Sequence, residues 1–118
     1  MQVDAHAVQA SAALTISGTG DSLTAAPTWA AATILTASPA GNITIDVAGC
    51  PDGASRWLRL TPANAKTVTI SATGGTVTRL GGADTNPFTG DGTAVTVVAV
   101  ARIGTIYDVT ITVEAAFS

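Results

Sequence analysis

Charge is what this sequence has least of. Only 11% of its 118 residues are Asp, Glu, Lys or Arg, where soluble proteins average about 25%. Aromatics are almost as scarce at 4%, and Cys50, His6 and Lys66 each stand alone as the only residue of their type. A single cysteine excludes an intramolecular disulfide. One His and one Cys cannot make the His/Cys ligand set of a zinc site. Nucleophilic catalysis needs a base beside the nucleophile, and His6 is the only imidazole, with no Gly-x-Ser-x-Gly turn to serve. A net charge of −3 and a pI near 4.6 argue against nucleic acid, whose phosphates are held by clustered Lys and Arg. No catalytic residue, cofactor or metal is therefore expected.

Long apolar runs are missing too. The longest, Trp29–Leu35 and Ala94–Ala101, are interrupted by Thr and far shorter than the ~18 residues that a membrane helix requires. Five aromatics are too few for the two girdles of an outer-membrane barrel. The first residues, Met1-Gln2-Val3-Asp4-Ala5-His6, show neither a basic start nor an apolar stretch, so no signal peptide and no membrane association are expected. The sequon Asn42-Ile43-Thr44 then has no expected role, because its modification requires secretion.

What fills the space is alanine and threonine, 23 and 20 residues respectively. Hydrophobic residues reach 47%, with a mean hydropathy of +0.43, which argues against disorder. A chain of this length forms one domain and buries roughly two-thirds of its unfolded surface. Its dominant pattern is alternation at period two. Tyr107, Val109, Ile111 and Val113 share one face of a strand, opposite Ile106, Asp108, Thr110 and Thr112. Ile43, Ile45 and Val47 alternate with Thr44 and Asp46, and Val68 and Ile70 with Thr67, Thr69 and Ser71. Leu58 and Leu60 point inward, leaving Trp57 and Arg59 on the other face.

Ala10–Ser17 supplies a first strand through Leu14 and Ile16. In Thr28–Thr36, Ala30-Ala31-Ala32 favours helix and Thr33-Ile34-Leu35-Thr36 strand. Strand is preferred because the neighbours are strands and Pro27 blocks an upstream helical start. Ala94–Ala101, nearly continuous in Val and Ala, has the composition of a central strand covered on both faces. Gly, Asn, Asp and Pro clusters punctuate the segments, and Gly74-Gly75 suits a tight hairpin from Lys66–Ser71 to Thr76–Leu80. No internal repeat is visible. These features predict an all-β fold, a compact antiparallel β-sandwich, jelly roll or small barrel of about eight short strands. Residues 10–118 form the single β domain and residues 1–9 an N-terminal arm.

Few residues carry chemistry. Asp21, Asp52, Asp84 and Asp91 all lie in turns, where carboxylates bond the local backbone. Asp84, Asn86 and Asp91 miss the spacing of a calcium loop. The thiol of Cys50 would need a neighbouring cation to be reactive, and Arg56 is the nearest in sequence. The richest cluster is Arg56-Trp57-Leu58-Arg59, because Trp and Arg are enriched at binding hot spots. Arg56, Trp57 and Arg59 are accordingly candidate partner-contact residues. Trp29 is a further candidate that also suits an anchor in the core. A Trp57 stacked on a sugar ring is the alternative use of the same side chain.

Residues 42–113 resemble small β-structured modules of tailed-phage virions. The resemblance rests on Asn42-Ile43-Thr44-Ile45-Asp46-Val47, Trp57-Leu58-Arg59-Leu60, Thr67-Val68-Thr69-Ile70, Gly90-Asp91-Gly92 with the following Val-rich strand, and Gly104-Thr105-Ile106-Tyr107. It implies an assembly role without catalysis: a head decoration (cement) protein, or a tail-fibre-like module. A carbohydrate-binding module using Trp57, Trp29 or Tyr107 as stacking platforms is the rival from another class. The implied partners are major capsid protein subunits and further copies of the chain, as a trimer on the particle, with a surface glycan as the lesser possibility. The implied location is the virion, after synthesis in the host cytoplasm. The short chain favours decoration over a fibre.

Overall fold

The computed structural model describes residues 11–79 and 86–114. The expected arm over residues 1–9 lies outside the described residues, as do His6, Leu80 and Asp84. Ten strands follow one another among the described residues: β1 (Ser11–Ala13), β2 (Leu23–Ala25), β3 (Ile34–Ala37), β4 (Ile43–Asp46), β5 (Ser55–Leu60), β6 (Thr67–Ser71), β7 (Thr76–Arg79), β8 (Phe88–Thr89), β9 (Thr96–Ile103) and β10 (Ile106–Val113). Among the described residues there is no α-helix, only a single 3-10 turn at Val47–Gly49. The all-β expectation holds at that level.

The strands form two mixed sheets, one in the order β1-β3-β5-β9-β10-β7 and one in the order β2-β4-β6-β8. Five of their eight pairings are parallel. An antiparallel jelly roll is therefore not what the chain builds. From β1 to β6 the chain crosses from one sheet to the other at every step, so each strand lies beside the one two places earlier and runs in the same direction. Ser11, Ile34 and Trp57 stand in one register row of the larger sheet, 23 residues apart at both steps (34 from 11, 57 from 34). Leu23, Ile43 and Val68 form the matching row of the smaller sheet, at separations of 20 and 25 residues (43 from 23, 68 from 43). The first half is thus a two-sheeted coil without a sequence repeat. After β6 the winding ends, and β9 pairs antiparallel with both β5 and β10.

Three local expectations change with this topology. Gly74-Gly75 does not close a hairpin: β6 belongs to the smaller sheet, and β7 crosses to the far edge of the larger one, parallel to β10. Within Thr28–Thr36 only the end is strand, from Ile34, because Trp29 takes a positive φ of 54° that an extended chain cannot contain. The strand β9 is central, yet covered on one face only: Val98 and Val100 are buried, while Val97 and Ala99 remain half-exposed.

One apolar core lies between the sheets. Ile43, Ile45, Val68, Ile70 and Phe88 enter it from the smaller sheet, and Leu35, Leu58, Leu60, Val98, Val100, Tyr107, Val109 and Ile111 from the larger. These are the inward positions that the alternation predicts, except that Val113 stays 42% exposed. Asn86 extends the smaller sheet: its amide donates to the Ile70 carbonyl at 3.0 Å and its Oδ1 accepts the Ile70 N–H at 2.9 Å. This side chain stands in for a strand partner.

Asp46 links β4 to the turn after β6. Its carboxylate accepts the N–H groups of Ala48 at 3.0 Å and Thr73 at 3.1 Å, and the Thr73 hydroxyl. Partial burial pushes its pKa up, but the Thr73 hydroxyl and the two backbone N–H groups outweigh it and hold the carboxyl below its ordinary range. A carboxylate depressed in the folded state stabilises fully above its unfolded pKa, and that contribution is lost as pH falls through the folded value. We therefore predict that Asp46→Ala costs about 1–2 kcal/mol at pH 7. Urea unfolding should show the gap between wild type and variant narrowing below about pH 4. A gap independent of pH would show that the ionised carboxylate is not what holds the turn.

Candidate partner-binding face

The outward face of the larger sheet is where alternation leaves the side chains that the core does not use. Register rows cross it from strand to strand. One runs Ser11, Ile34, Trp57, Ala99 and Thr110, and the next Ala13, Thr36, Arg59, Val97 and Thr112. Near the β9–β10 turn, Ile103 pairs with Ile106, and they are 70% and 40% exposed. Ile34, Trp57, Arg59, Val97 and Glu114 line a shallow hollow of about 300 Å³. Arg59 donates to Glu114 across its rim. Both charges are solvent-exposed, so the pair fixes orientation more than it stabilises. Asp108, the third charge along these rows, accepts the Thr78 hydroxyl. The rest of the face is Ile, Val, Ala, Thr, Ser and one Trp.

The four residues singled out from the sequence separate into three environments. Trp57 and Arg59 share the outer face, two places apart on β5. Arg56 lies on the opposite side of the same strand, in the alternation of Leu58 and Leu60. Trp29 is buried, 6% exposed, and its indole N–H donates to the Trp57 carbonyl at 3.0 Å. A buried indole needs such an acceptor. The structural service that Trp57 gives Trp29 comes from its backbone, which leaves the Trp57 side chain free for the outer surface.

The outward face of the smaller sheet is different. Thr24, Thr44 and Thr69 lie in one row, and Ser17 bridges to Thr24. A hollow of about 540 Å³ there is lined by Thr, Ser and Ala side chains and Asp46, with no aromatic. Of the described turn carboxylates, Asp91 bonds its own turn as expected, accepting the N–H groups of Thr93 and Ala94 at 2.8 and 2.7 Å. Asp21 and Asp52 instead reach other segments, accepting the Asn42 N–H at 3.0 Å and the Gly104 N–H at 2.8 Å. Asn42 of the sequon is itself engaged, its Oδ1 accepting the Thr67 N–H at 2.9 Å. No group of three potential metal ligands occurs among the described residues.

Cys50 is fully buried. Burial raises its thiol pKa, and the nearby Arg56 and Arg102 guanidiniums only partly offset that. Arg102 was not singled out from the sequence; its position two places beyond Val100 on β9 is the trace it leaves there. The thiol should resist iodoacetamide in the native protein at pH 8 and react on the order of 100-fold faster in guanidinium chloride. Equal rates in both conditions would mean that the Cys50 site opens freely.

No protein-family model, curated protein or solved structure matches the chain.

Proposed function

We propose that this chain is a non-enzymatic structural protein of a phage virion, a decoration protein that binds the outer surface of the head and stabilises contacts between capsomers. The observation that carries this reading is the sparsely charged outer face of the larger sheet. Its rows centre on Trp57, Ile34 and Val97, and charge is confined to Arg59, Glu114 and Asp108. Interface cores are depleted of charge and enriched in aromatics and Arg in this manner, and large apolar exposure on a single chain calls for a partner. Strand faces built from Thr instead of Lys and Glu keep the surface compatible with water before assembly.

In this reading the protein meets major capsid protein subunits through the Trp57 face and sits as a trimer on the particle. The test is co-sedimentation of purified protein with heads that lack it. Saturable binding at a stoichiometry tied to capsomer number is expected, and absence of binding would contradict the proposal. In isolation the protein should form nothing larger than a trimer by analytical ultracentrifugation.

One observation favours a second reading. The hollow beside Trp57, rimmed by Arg59 and Glu114, combines an aromatic plane with polar groups, as a saccharide site does in a tail-fibre-like module. Binding on a glycan array that Trp57→Ala abolishes would favour that reading over decoration.

A further inference from the structure

The four-stranded hydroxyl face and the Trp57 face leave one chemically distinct place unused, the end of the core around Cys50. Two guanidiniums converge there. Arg56 on β5 stands opposite Val100 on β9, and Arg102 lies two residues further along β9. Alternation therefore puts both on the inner side of the larger sheet, as diagonal neighbours. Arg102 is clamped: its Nε donates to the Gly104 carbonyl at 2.7 Å and its Nη1 to the Cys50 carbonyl at 2.9 Å, with the guanidinium 5.2 Å from the Tyr107 ring centre. Arg56 donates from Nη1 to the Ser55 carbonyl at 2.8 Å.

Neither arginine has a carboxylate partner among the described residues, although Lys66 is paired with Asp21 and Arg59 with Glu114. Two positive charges without a carboxylate partner among the described residues are thus neighbours in a chain of net charge −3. The Nη2 groups of both arginines are left without a described acceptor. The Nε of Arg56 is buried with no hydrogen-bond partner, one of two such side-chain atoms among the described residues, the other being Thr33 Oγ1. A buried donor without an acceptor is costly and calls for a specific explanation. Asp52, on the same rim, spends one carboxylate oxygen on the Gly104 N–H and forms no ion pair with either arginine within the described residues.

We infer that Arg56 and Arg102 form a binding site for a single oxyanion, a phosphate or carboxylate group, at the Cys50 end of the core. Guanidinium forks are matched to such groups in geometry and charge. Arg102, held by two carbonyls and stacked on Tyr107, is pre-organised, so little side-chain order is lost on binding. The oxyanion would supply acceptors for the Nη2 groups of the two arginines. The site stands independently of the proposed role on a particle, because it lies on the opposite side of the sheet from Trp57.

The test is a titration of the full chain with sodium phosphate, and separately with sodium acetate, at constant ionic strength balanced with chloride. The side-chain Nε–H resonances of Arg56 and Arg102 should shift together and saturate at millimolar anion, while that of Arg59 stays in place. Saturation with phosphate alone identifies a phosphate-type ligand, and saturation with acetate identifies a site open to a partner's carboxylate. In Arg56→Gln the Arg102 shift should be lost or weakened at least tenfold. Should that variant fail to fold, Arg102→Gln and the wild-type titration decide the matter. Unmoved Arg56 and Arg102 resonances with both anions, or shifts equal to that of Arg59, would overturn the assignment.

Discussion

Trp57→Ala should weaken binding to the assembly partner by about 30- to 700-fold while the protein stays folded. The range corresponds to a hot-spot loss of about 2–4 kcal/mol at 1.4 kcal/mol per decade. The separation of binding from folding follows from the structure. Trp57 holds Trp29 through its carbonyl, and a substitution of the side chain leaves that acceptor in place. The indole stands half-exposed between Ile34 and Ala99 in its row, so its removal leaves no sealed cavity. Titrating wild type and variant against heads lacking the protein, alongside urea unfolding of both, separates the two effects. A variant that unfolds with large loss of stability yet binds normally when folded would make Trp57 a structural residue.

Leu58→Ala, one residue along the same strand, should have the opposite profile. Leu58 is fully buried, between Leu35 and Val98 in its register row, and faces the smaller sheet across the core. Truncating such a leucine costs about 3–5 kcal/mol, because the cavity only partly collapses. Domains of this size have about 5–15 kcal/mol in total. The melting temperature should therefore fall by on the order of 10–20 °C. The exposed Thr44 on the outer face of β4 is the control, since Thr44→Ala should stay within about 0.5 kcal/mol. Comparable losses at Leu58 and Thr44 would contradict the register described.

The contrast between residues 57 and 58 shows what the sequence makes legible. Alternation alone places Leu58 and Leu60 inward and Trp57 and Arg59 outward, because a pleated strand leaves no other choice. The same rule sends Arg56 inward, where the structure has it; its nearness to Trp57 along the chain does not put it on the same face. Strand direction was not legible. Parallel and antiparallel pairs that each bury one face show the same alternation, so Ile43, Ile45, Val68 and Ile70 fit either. The coil is hidden because its rows do not combine even spacing with shared identity. Ser11, Ile34 and Trp57 of the larger sheet are evenly spaced but unlike, and Ala25, Ile45 and Ile70 of the smaller sheet share apolar character at unequal spacings.

Gly74-Gly75 misleads for a related reason. The positive φ of Gly74 satisfies the turn chemistry of a hairpin, yet the chain uses it to cross between sheets. Gly75 also sits tight against the next structure, since a Cβ there would lie 2.5 Å from the Tyr107 ring and 2.7 Å from the Thr105 carbonyl oxygen. The diagonal placement of Arg56 and Arg102, 46 residues apart in sequence (102 from 56), depends on the pairing of β5 with β9, which no local pattern reveals.

The low charge of the chain now has a definite place. The larger sheet turns a face of Ile, Val, Ala, Thr and Trp outward, and the proposed function rests on a partner covering it. Quantitative mass spectrometry of purified phage particles carrying this protein tests that claim most directly. The account predicts the chain in the particle at a copy number comparable to that of the major shell subunit; its absence from particles would contradict it.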